Sequence, residues 1–184
     1  MKTQRHEPIE GLPLAQNIHI EEAFEVLSTL GFERVIELGT QNGGFTIFLS
    51  LLFKRVITFD NKSFRNTLDV FKKYPKITFI EMDIFKKPDF VGKLISKEGK
   101  VLLLCDNGNK IKEVDTFSKY LKYGDYIMAH DYASTREHFK NEIQGNYWNC
   151  LEITDADIDF KKHGLQKRNS ELNDKAAWFC AVKL

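Results

Sequence analysis

Arg34-Val-Ile-Glu-Leu-Gly-Thr-Gln-Asn-Gly-Gly-Phe45 opens as a short apolar run, breaks at Gly39 and resumes after Gly43 with a helical pattern. Phe45, Phe48, Leu49 and Leu52 continue that pattern, so the stretch reads as buried strand, glycine loop and helix. Before it, Ile20 to Leu30 sets Ile20, Ala23, Phe24, Leu27 and Leu30 on one helix face, with Gly31 as the stop. After it the alternation repeats. Strands are expected at Val56–Asp60, Ile77–Asp83, Val101–Asp106 and Asp125–Asp131. Between them Ser63 caps a helix holding Phe64, Leu68 and Phe71, and further helices span Asp89–Ser96 and Lys110–Leu121. Ser134 with Glu137 resembles a capping box for a helix reaching Ile143.

Strands alternating with helices imply right-handed crossovers and a doubly wound, mostly parallel sheet. The continuous apolar run Val101–Leu104 agrees, because a parallel sheet is covered on both faces. Beyond residue 145 the pattern changes. Cys150–Thr154 and Trp178–Leu184 read as strands of a terminal antiparallel pair, separated by a charged stretch from Asp155 to Lys175 without a clean strand. The chain of 184 residues suits one domain.

Lys and Arg number 27 against 26 Asp and Glu, a balance that leaves no global field for a polyanion. Nucleic-acid binding is disfavoured, and the basic pairs at Lys161 and Lys167 sit among acids as a solvated face. The polar start through Pro8 leads into no signal-like apolar run, and no stretch of about 18 apolar residues offers a membrane span. Cys105, Cys150 and Cys180 are odd in number and widely spaced, which favours buried thiols in a reducing cytoplasm. His138 and His163 read as surface residues.

Ligands of an open parallel sheet bind beyond the carboxyl ends of the strands. Those ends are Gly39, Asp60, Asp83, Asp106 and Asp131. Each aspartate alone also suits a turn or helix cap, but four on one rim imply polar ligands or a cation. The glycine loop lacks the middle glycine of a dinucleotide fingerprint, which is Gln41 here, and it lacks the Lys-Ser/Thr of a P-loop. It suits an uncharged or zwitterionic ligand tail, with Glu37 placed to accept from an ammonium group. Asp60, one strand–helix–strand unit after Gly39, can accept from ribose hydroxyls; Met82-Asp83-Ile84 can flank an adenine.

With Glu37-x-Gly39-x-x-x-Gly43-Gly44 followed by Asp60, Asp83 and Asp106 at successive strand ends, residues 20 to 145 resemble the class I S-adenosylmethionine-dependent methyltransferases. The resemblance is strongest to catechol-type O-methyltransferases and to the cephalosporin-hydroxylase and rhamnosyl O-methyltransferase group. It implies a Rossmann-like, seven-stranded sheet ending in an antiparallel strand, and methyl transfer to a small-molecule hydroxyl. It also implies S-adenosylmethionine contacts at Glu37, Gly39, Thr40, Gln41, Gly43, Asp60, Asp83 and Asp106, and a metal set at Asp106, His130 and Asp131. Two carboxylates favour magnesium or manganese, and the imidazole widens the choice toward iron or zinc. Asp106 and Lys110 are the expected catalytic residues, Lys110 as a base or a group lowering the acceptor pKa. Tyr132, Tyr147 and Trp148 are candidates for an aromatic wall. The short segment before the first helix leaves a substrate lid either missing or supplied by a partner subunit, as in a homo-oligomer. A non-methylating metal-dependent or sugar-modifying enzyme, or a silent cofactor-binding protein, is equally compatible with this scaffold.

Overall fold

The most apolar run of the chain forms the centre of the sheet. In the computed structural model, which describes residues 6–63 and 65–184, Val101–Cys105 is a strand with every residue buried. In chain order the strands are β1 (Arg34–Leu38), β2 (Val56–Asp60), β3 (Ile77–Glu81), β4 (Val101–Cys105), β5 (Tyr126–Ala129), β6 (Leu165–Lys167) and β7 (Phe179–Lys183). They lie side by side as β3-β2-β1-β4-β5-β7-β6. The first five run parallel, and β7 inserts antiparallel between β5 and β6. The main helices are α1 (Ile20–Ser28), α2 (Gly44–Leu52), α3 (Arg65–Phe71), α4 (Pro88–Ile95) and α5 (Lys110–Phe117).

Alternation along β1 and β4 divides the interior into two cores. Ile36, Leu38, Leu103 and Cys105 face α4 and α5 through Val91, Ile95, Val114 and Phe117. Val35, Leu102 and Leu104 face α1 and α2 through Phe24, Phe45 and Phe48. Helices on both faces explain why the central strands are apolar without a polar side.

The expected architecture is present, with its differences concentrated after residue 130. β5 stops at Ala129, two residues earlier than the sequence suggests. Ile153 makes only an isolated bridge to Tyr132, so Cys150–Thr154 is not a strand of the sheet. The edge pair is β6 with β7, and β6 comes from the charged stretch that gives no strand signal. Thr135, rather than Ser134, caps the turn of helix at Arg136–His138 by accepting from the His138 N–H. Ser63 donates to Glu81, and Phe64 lies outside the described residues. Cys105 and Cys180 are buried, but Cys150 is exposed. No described helix is long and apolar enough to cross a membrane.

Candidate active site

A cleft of about 650 Å³ opens at the carboxyl ends of β1, β2, β4 and β5, a size ordinary for a small-molecule site. Gly39, Gln41, Asp60, Asn61 and Lys62 line the part above β1 and β2. Asp106, Asn107 and Gly108 follow, and Lys110, His130, Asp131, Trp148, Cys150 and Glu152 line the rest. The segment before α1 reaches the cleft. Leu12 and Leu14 are buried, Ala15 lines the cleft, and Gln16 is buried behind it.

Asp60 sits where a ribose-binding carboxylate was expected. Its Oδ2 accepts from the Gln41 backbone N–H at 2.9 Å and its Oδ1 from the Lys62 N–H at 3.4 Å. Each oxygen keeps a second lone pair for a ligand hydroxyl. Gln41 adopts φ 50°, the left-handed region, so the loop makes its tight turn without the middle glycine of a dinucleotide fingerprint.

Four expected cofactor contacts lie outside this lining. Glu37 is fully buried beneath α2, where the Thr46 hydroxyl donates to its Oε2 at 2.6 Å. Its other oxygen, Oε1, is buried without a hydrogen-bond partner among the described residues. Thr40 bonds Thr58 through their hydroxyls at 2.6 Å, and Gly43 is the N-cap of α2 beside Thr67 and Phe71. Asp83 accepts from the Phe85 N–H at 3.0 Å and pairs with Lys86 at 3.7 Å, the turn-forming role of an aspartate.

The other part of the cleft gathers charge. Because β5 has ended, His130 and Asp131 escape strand alternation, and Asp131 turns through φ 56°. One donor atom each from Asp106, His130 and Asp131 lies within 4.8 Å of the others, so the three expected metal residues do converge. Lys110, however, is 4% exposed, and its ammonium lies 2.9 Å from Asp131, 3.3 Å from Glu152 and 3.4 Å from Asp106. Burial alone would lower its pKa, but Asp106, Asp131 and Glu152 outweigh burial and raise it. Lys110 is therefore no solvated helix-start residue, and its carboxylate neighbours favour its charged form. Asp131 is held below the ordinary carboxylate value, its burial outweighed by His130, Lys110 and the Trp148 N–H. With the ammonium among them, the three residues as arranged do not fit a divalent ion.

Gln16, Trp178 and Glu113 join the site without having been singled out from the sequence. The Trp148 indole donates to Asp131 at 2.6 Å, and the Gln16 amide to Asp106 at 3.4 Å. His130 is stacked on Trp178 and tilted against Trp148, with both ring centroids at 4.8 Å. Trp148 does line the cleft, whereas Tyr132 is buried with its hydroxyl on Asp155. Glu113 accepts from the backbone N–H groups of Asn107 and Asn109 and so shapes the rim loop. An acid one turn into a helix that follows an Asn-Gly-Asn turn is the sequence signal that could have found it. His163 is buried, 2.8 Å from the Ser118 hydroxyl and 3.1 Å from Asp115. Ser118 is fully buried, so this serine–histidine–acid line has no open face for a substrate.

Gly108 has φ 85° and open space where a Cβ would stand. Gly108→Ala should therefore cost only the left-handed strain, about 1–2 kcal/mol, with the fold intact. Thermal unfolding checks this; a loss as large as that of Leu103→Ala, about 2–5 kcal/mol, would contradict a local role for the loop.

No protein-family model matches the chain, and no curated protein matches it by sequence. Solved structures do. The apo structure of CmcI-N160 superposes with TM-score 0.65 at 14% identity, covering 97% of this chain and 76% of that one. The fold is that of the class I methyltransferases. A caffeoyl-CoA O-methyltransferase candidate from Staphylococcus aureus gives 0.64 at 11% identity, over 95% and 87% of the two chains. Aeropyrum pernix fibrillarin, solved with natively bound S-adenosyl-L-methionine, gives 0.57 at 16%, over 88% and 74%. On this methyltransferase fold the cleft lies where open parallel sheets bind their ligands.

Proposed function

We propose that the chain transfers a methyl group from S-adenosylmethionine to a hydroxyl of a small molecule. The observation that carries this reading is the charge of the cleft, where Asp60, Asp106, Asp131 and Glu152 face Lys62 and Lys110. Four carboxylates against two lysines repel the pyrophosphate of a dinucleotide and attract a sulfonium cation. The size of the cleft and the spare lone pairs of Asp60 fit the nucleoside part.

S-adenosylmethionine supplies an already activated methyl group, so the work of the chain is alignment, exclusion of water and removal of one proton. Asp60 accepts from the ribose hydroxyls. The turn at Asn107 and Gly108, held by Glu113, shapes the cleft between its two parts. Glu152 is the most exposed of the three carboxylates around Lys110, with its side chain 33% exposed. It is placed to take the acceptor proton as the new carbon–oxygen bond forms and the carbon–sulfur pair returns to sulfur. Lys110 and Trp148 hold Asp131 in place beside it.

Asp60→Ala removes the ribose acceptor. Titration calorimetry with S-adenosylhomocysteine should show binding weakened by about 1–3 kcal/mol, the range for charge-assisted hydrogen bonds left unmade. Unchanged affinity in a folded variant would place the nucleoside elsewhere.

A further inference from the structure

The expected metal ligands surround a cation that the chain itself provides. An ammonium has three N–H donors, and Lys110 has as many carboxylate neighbours, at 2.9, 3.3 and 3.4 Å. The two more buried carboxylates are also engaged on their other oxygens. Gln16 donates to Asp106 Oδ2 at 3.4 Å, and Trp148 to Asp131 Oδ1 at 2.6 Å. His130 Nδ1 faces Asp106 Oδ1 at 3.2 Å. A divalent ion needs lone pairs of several ligands aimed at one vacant point. Here that point belongs to an ammonium anchored on the first residue of α5 and buried to 4% exposure.

We propose that Lys110 is the resident cation of this site, standing where a divalent ion would otherwise bridge Asp106 and Asp131, and that the site handles its acceptor without a metal. The assignment concerns the acceptor end of the proposed methyl-transfer cleft and rests on that reading only for what the acceptor is. Lys110 is a positioning residue. It offsets the repulsion among its three carboxylate neighbours, of which Glu152 is the most open to the cleft, with its side chain 33% exposed. A second group, Asp131, Cys150 and Glu152, could also hold an ion, but it shares two carboxylates with the same ammonium.

The test uses magnesium, manganese and zinc as probes on the full chain, read by thermal unfolding and by manganese titration calorimetry. The parent should show no saturable shift with magnesium or manganese. Lys110→Ala should melt lower without ions and bind manganese roughly 10-fold or more tightly than the parent, and adding Asp131→Asn should abolish that gain. Saturable manganese or zinc binding by the parent that Asp131→Asn removes would overturn the assignment, whether or not Lys110→Ala folds. So would a folded Lys110→Ala protein that gains no manganese affinity. S-adenosylhomocysteine binding, measured in parallel on the parent, reports on the methyl-transfer reading separately from either result.

Discussion

Gly39→Ala is expected to destabilise the protein by about 3–5 kcal/mol, enough to leave little folded chain. Gly39 has φ 104°, and a Cβ there would stand 2.3 Å from the Asp106 carbonyl oxygen and 2.9 Å from the Asn107 Cα. Both obstacles are backbone, so no side chain can rotate away. The strand end cannot retreat either. Gly39 N–H donates to Phe59 at 2.8 Å, and Asp106 N–H donates to Leu38 at 2.8 Å, which fastens β1 between β2 and β4. Left-handed strain adds about 1–2 kcal/mol to the overlap. Urea unfolding of Gly39→Ala beside Gly108→Ala separates the two effects. Equal losses would mean that close approach at Gly39 contributes nothing and conformation alone sets the requirement.

Glu37→Gln is expected to stabilise the protein at alkaline pH, by at most about 5 kcal/mol at pH 9. Burial beneath α2 raises the Glu37 carboxyl to about 8, against the opposing hydrogen bond from Thr46. The folded state therefore binds a proton that the unfolded state releases above the ordinary value of 4.5. The stability linked to that proton is complete below 4.5 and is lost as pH rises through about 8. Glutamine keeps the shape and an acceptor for Thr46 but cannot ionise. Parent and variant should be similar at pH 5 and diverge upward, in urea unfolding measured at several pH values. Glu113, raised to about 7 by burial despite the N–H groups of Asn109 and Asn107, leaves a smaller alkaline decline in both proteins. A parent whose stability is flat from pH 5 to 9 would contradict a charge-averse Glu37.

Central strands were legible because burial on both faces leaves them almost wholly apolar, and Val101–Cys105 needs no context to be recognised. Gly39, Gln41, Asp60 and Asp106 followed, since strand ends of a parallel sheet open on one rim. β6 escaped notice because three residues at a sheet edge, Leu165–Lys167, carry too short an alternation. The full burial of Glu37 was not legible, because a strand terminus gives no account of which face the preceding residue takes. The environment of Lys110 was the hardest to foresee. Its three carboxylates come from the end of β4, the turn after β5 and a loop far beyond α5 in the chain, as Asp106, Asp131 and Glu152 show. Sequence spacing brings only Asp106 within reach of it; the rest is tertiary.

On the proposed reading, the negatively charged cleft above β1, β2 and β4 holds the nucleoside and sulfonium of S-adenosylmethionine. Titration calorimetry of the parent chain with S-adenosylhomocysteine and, separately, with NAD tests it most directly. Saturable binding of S-adenosylhomocysteine is expected, one molecule per chain, with no measurable heat of binding from NAD. Binding of NAD without binding of S-adenosylhomocysteine would contradict it.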